Sequence, residues 1–74
     1  MASHPIRYEL RRGRQVIGTA ATLDGGKKLV ALCGRLSRIW PRTVVRVLAI
    51  LPVNDEGQTP VVMIARGDAQ DHRG

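Results

Sequence analysis

Seventy-four residues allow one domain, near the lower size limit for an unaided hydrophobic core. A hydrophobic fraction of 43% excludes intrinsic disorder, and a single cysteine excludes an internal disulfide. The formal net charge is +6, and ten of the twelve basic residues lie between positions 7 and 46 against only Glu9 and Asp24, about eight net positive charges (ten minus two). Charge this concentrated attracts polyanions or acidic protein surfaces without catalytic machinery.

Ile6, Tyr8 and Leu10 alternate with Arg7, Glu9 and Arg11, the period-two pattern of a strand with one polar face. Gly13 marks a turn, and residues 15–22 read as a second strand rich in Val, Ile and Thr. A two-residue turn at Arg12 and Gly13 would set Arg11 opposite Arg14, a repulsion that some favourable contact or a longer loop must offset. Asp24 is the expected N-cap of a helix over 25–40, stopped by Pro41. At 100° per residue, Leu29, Leu32, Cys33, Leu36, Ile39 and Trp40 share one arc, with Lys27, Lys28, Arg35 and Arg38 opposite.

Residues 43–51 give the strongest strand signal. A turn over 54–58 and a last strand over 59–66 follow, with Pro60 suited to a strand terminus. The expectation is an α+β fold in the order ββαββ: an antiparallel or mixed four-stranded sheet with one amphipathic helix on one face. Residues 1–74 then form a single domain, ordered over about 6–66, with a polar tail over 67–74. The longest apolar run, 47–53, contains Pro52 and falls far short of the roughly 20 residues that span a bilayer. No membrane association is expected, no signal-peptide pattern opens the chain, and a cytoplasmic location is the default.

One helix covers only one side of a four-stranded sheet. Val45, Val47, Ala49 and Leu51 are expected to face it, leaving Val44, Arg46, Leu48 and Ile50 on the other side. Val62 and Ile64 join whichever face Val61, Met63 and Ala65 do not take, and with them the open face mixes aliphatic side chains with Arg7, Arg11, Arg46 and Arg66. Such a patch marks a protein interface, including a homodimer.

Catalysis is not expected. His4 and His72 lie near the two ends, no carboxylate pair is spaced for acid–base work, and Cys33 sits on the apolar arc of the helix. These residues cannot assemble a tetrahedral metal site either, so no cofactor or metal is expected. The segment 24–28 joins glycines and lysines at a helix start but lacks P-loop spacing, and reads as a cap and turn. The hairpin tip Arg11, Arg12 and Arg14 is the sharpest local feature, a narrow finger suited to successive phosphates. Lys27, Lys28, Arg35, Arg38 and Arg42 would extend that footprint. Trp40 reads as a core plug where the helix meets the third strand, with a partner anchor as the alternative. Arginines outnumber lysines ten to two, which reflects either a preference for forked phosphate contacts or GC-rich coding.

Two functions fit: a binder of nucleic acid or a nucleoprotein complex, and a stoichiometric inhibitor that docks on a nucleic-acid-handling protein. For the second, the length and element order of residues 6–66 resemble small phage and mobile-element inhibitors, including certain anti-CRISPR proteins. That resemblance implies protein–protein docking and assigns no residue roles. Many such inhibitors are acidic mimics of nucleic acid, whereas a basic one must grip acidic surfaces or nucleic acid already held in a complex.

Overall fold

The computed structural model describes residues 4–67. These form β1 (Arg7–Arg12), β2 (Gln15–Ala20), α1 (Leu23–Ile39), β3 (Val45–Ile50) and β4 (Val61–Gly67), the α+β order ββαββ. The strands lie in the order β2-β1-β3-β4, and every neighbouring pair is antiparallel. β1 is thus a central strand, and α1 carries the chain across it to bring β3 to its far side. The expected tail over 67–74 falls outside the described residues, except for Gly67, which closes β4.

The first hairpin turns at Gly13 and Arg14 rather than at Arg12 and Gly13. Arg12 pairs with Gln15, and Gly13 takes φ +60, the left-handed conformation that a tight hairpin requires at its first turn position. The register then slips by one residue between Leu10 and Arg11, which leaves Ile17 as a bulge and sets Arg11 opposite Val16. The expected confrontation of Arg11 with Arg14 therefore does not occur.

Thr22, not Asp24, caps the helix. Its Oγ1 accepts from the Gly25 amide at 3.1 Å, and Asp24 occupies the first turn, where a carboxylate suits the helix dipole. The Trp40 amide closes the other end on the Leu36 carbonyl at 2.8 Å, and Pro41 follows. The core forms where the alternating residues Tyr8, Leu10, Val45, Val47 and Ala49 meet Leu29 and Cys33, flanked by Leu36, Trp40, Ala20 and Ala65. Leu32 and Ile39 remain 37% and 64% exposed, so the buried arc is rotated from the one expected. Gly26 lies on the buried side, where a Cβ would stand 2.9 Å from the ring of Tyr8.

The β3–β4 connection is organised by Asn54, whose Oδ1 accepts from the amides of Glu56 and Gln58, both at 2.9 Å. A second bulge, at Ile64, follows from the register step between Val47 and Leu48. It reverses the facing of β4 along its length: Val61 and Met63 share the face of Ile50 and Leu48, while Ala65 joins Val47 on the helix side.

These contacts give two glycines in one helix opposite responses to the same substitution. Gly34→Ala, with open space around the new Cβ, should stabilise by up to about 1 kcal/mol through helix propensity. Gly26→Ala should destabilise by about 1–3 kcal/mol, because overpacking against Tyr8 outweighs that gain. Urea denaturation midpoints check both signs.

Candidate nucleic-acid interface

The sheet face away from α1 is built from three rows of directly opposed residues. The row nearest the hairpin tip is Val16, Arg11, Arg46 and Arg66, the middle row Thr19, Glu9, Leu48 and Met63, and the far row Arg7, Ile50 and Val61. Three arginines therefore stand side by side across β1, β3 and β4. With neighbouring strands about 4.8 Å apart, the row spans roughly 10 Å. Like charges placed in this way repel, and two contacts answer the repulsion.

The first is Glu9, 6% exposed in the middle row. Its Oε1 accepts from Arg11 Nε at 3.0 Å and Nη2 at 2.6 Å, and its Oε2 accepts from Arg7 Nε at 3.0 Å. Period-two spacing puts all three side chains on one face, so the carboxylate sits between two guanidinium groups. The Arg11 hydrogen bonds hold Glu9 below its ordinary 4.5. They prevail over burial, which pushes the other way, and Arg7 assists them. The second contact is from Arg46, whose Nη2 donates to the Gly13 carbonyl at 3.0 Å. Because the Gly13 amide in turn donates to Val44 O at 3.0 Å, the finger is tied at its tip to the start of β3.

Gly13, Arg14, Val44, Arg46, Met63 and Arg66 line a shallow open depression of about 470 Å³ beside this row. Its lining holds three arginines and no carboxylate. Arg42 is exposed in the segment between helix and β3, close to the same end. Asp55 and Glu56 belong to the β3–β4 connection at the opposite end of the strands, away from the cluster.

The expected finger of Arg11, Arg12 and Arg14 is divided by the fold. Arg11 lies on the open face with Glu9, and Arg14 lines the depression. Arg12 points to the helix side, where its guanidinium carbon stands 4.0 Å from the centroid of the Trp40 ring. Trp40 thus packs partly on the core, as its place on the apolar arc of the helix predicts, and also holds an arginine. Lys27, Lys28, Arg35 and Arg38 are exposed on α1, which covers the other face of the sheet, so they and the open-face row point to opposite sides of the molecule. They do not extend a single footprint.

The expected aliphatic interface is altered as well. Arg46 is on the open face as expected, but Leu48 and Ile50 are only 5% and 2% exposed. Val62 pairs with Ala49 and so belongs to the helix side, and Ile64 is the bulge residue. Among the described residues, the exposed apolar side chains in the rows of the open face are Val16, Val61 and Met63. Cys33 is buried, with its Sγ 3.4 Å from Val45 O, and burial pushes its thiol up, away from nucleophilic use.

The sequence does not single out Glu9, although its place two residues from both Arg7 and Arg11 in a strand is a readable signal of the ion pairs it forms. Comparison with protein-family models, curated proteins and solved structures returned no match. No helix among the described residues is long and apolar enough to cross a membrane.

Since the folded pKa of Glu9 lies below the unfolded one, its contribution to stability is complete above 4.5 and is lost as pH falls through the lower folded value. Glu9→Gln should therefore cost about 1–3 kcal/mol at pH 7. Its deficit against the parent should shrink as denaturation is repeated at pH values below 4.5.

Proposed function

We propose that this chain is a small, non-enzymatic binding protein that grips the phosphate backbone of nucleic acid, free or within a nucleoprotein complex. The observation that carries the reading is the cross-strand row Arg11, Arg46 and Arg66 with Arg14 beside it, on a face whose one buried carboxylate, Glu9, is already engaged by Arg7 and Arg11. Guanidinium groups spaced across about 10 Å of sheet suit phosphate oxygens, which accept their forked hydrogen bonds.

Among the described residues, the same face carries no aromatic side chain for stacking on bases. Tyr8 is buried against the helix, and Trp40 lies beneath Arg12. Recognition therefore falls on backbone charge and shape, with little sequence preference. The reading needs no cofactor, and it fits a cytoplasmic protein. The alternative, an inhibitor that docks on a host protein or pairs with itself through the sheet face, would rest on the exposed Val16, Val61 and Met63, because Leu48 and Ile50 are buried in the single chain.

Fluorescence anisotropy of a labelled duplex of about 20 base pairs, titrated over a range of salt, tests the proposal. Affinity should fall steeply with salt. Arg14→Ala and Arg46→Ala should each weaken binding and reduce the log–log salt slope by about 0.9 per lost phosphate contact. Parent-like affinity and slope in the double variant would show that the cluster is not the contact.

A further inference from the structure

The helix of this two-layer fold carries a second basic surface that the sheet-face reading leaves unused. Lys27, Lys28, Arg35 and Arg38 are all exposed on α1, and among the described residues none of them forms an ion pair with a carboxylate. At 1.5 Å per residue they cover about 16 Å of helix, a length matched to several phosphates. Because α1 packs on the face of the sheet opposite the Arg11, Arg46 and Arg66 row, the two surfaces look in opposite directions.

Two magnitudes decide what such an arrangement does. The smallest Cα extent of the chain is 22 Å, against a Debye length of about 8 Å at physiological salt. A polyanion on one surface is thus screened from a polyanion on the other, and both can be occupied together. A nucleic-acid duplex has a persistence length of about 150 base pairs, so it cannot fold back around a particle of this size to reach both sides. One duplex therefore takes one surface, and the other stays open for a second.

From this we infer that a single chain bridges two duplex segments, one on the sheet-face arginines and one on the helix stripe. The inference rests on the phosphate-binding reading above and adds a second site and a bridging activity to it. It needs no self-association, since the two sites are on one molecule.

A sandwich assay tests it: a surface-immobilised duplex, a fluorescent second duplex and added protein, with the oligomeric state of the free protein followed by light scattering. The parent should retain the fluorescent duplex while monomeric. Retention should rise and then fall as protein exceeds duplex, because each duplex then carries its own chain. Lys27→Glu, Lys28→Glu and Arg35→Glu combined, all at exposed helix positions, should reduce retention at least tenfold. Anisotropy binding to one duplex should stay within about threefold of the parent, with circular dichroism confirming the fold. Single-duplex binding without retention by the parent would overturn the bridge and leave the sheet-face reading standing. Retention that survives in the charge-reversed variant would overturn it too, by showing that bridging comes from self-association. Absence of all duplex binding would overturn both readings.

Discussion

Three arginines opposed on adjacent strands form an arrangement that a sheet tolerates only with help. Arg11, Arg46 and Arg66 stand in one row, and each direct like-charge pair across a ladder costs stability. Glu9 makes the row possible by occupying Arg11 through both Nε and Nη2, and the Gly13 carbonyl engages Arg46. The Glu9–Arg11 contact lies within β1. The Arg46–Gly13 contact depends on β1 pairing with β3, which sets Glu9 beside Leu48 and the hairpin tip over the start of β3. The positive cluster is therefore a property of the β1–β3 register more than of composition.

One carboxylate serves two guanidinium groups, Arg7 and Arg11, and the lining of the neighbouring depression adds Arg14, Arg46 and Arg66. The acidic residues Asp55 and Glu56 are held at the far end of the strands by the Asn54 turn, away from the cluster. The helix layer, meanwhile, is spent on the core through Gly26, Leu29 and Cys33. Its outer side is left with the lysine and arginine stripe, turned away from the sheet face.

Much of this fold was legible in the sequence because its strongest signals are periodic. The alternation of β1, the aliphatic run of β3 and the 3.6-residue pattern of α1 fixed the element order and the side of β3 that meets the helix. What stayed hidden came from single-residue events. A bulge adds one residue without changing composition, so Ile17 and Ile64 shifted the register unseen, and Val62 moved to the helix side. Gly13 opens the turn instead of closing it because its positive φ is needed at the first position. Gly26 falls in the segment that reads as a cap and turn, whereas it lies against the ring of Tyr8. The basic candidates were found individually, but their division into two opposed surfaces, and of Arg12 from Arg11, follows from strand faces that only the three-dimensional register defines.

The central claim is that nucleic-acid phosphate meets this chain at the arginine cluster beside the first hairpin. The most direct measurement is a backbone-amide NMR map recorded while a short duplex is titrated in at moderate salt. The account predicts saturable shifts at residues 11–15, 42–46 and 65–67, reversed when salt is raised. Shifts centred on the 51–60 connection, with the hairpin end unchanged, would contradict it.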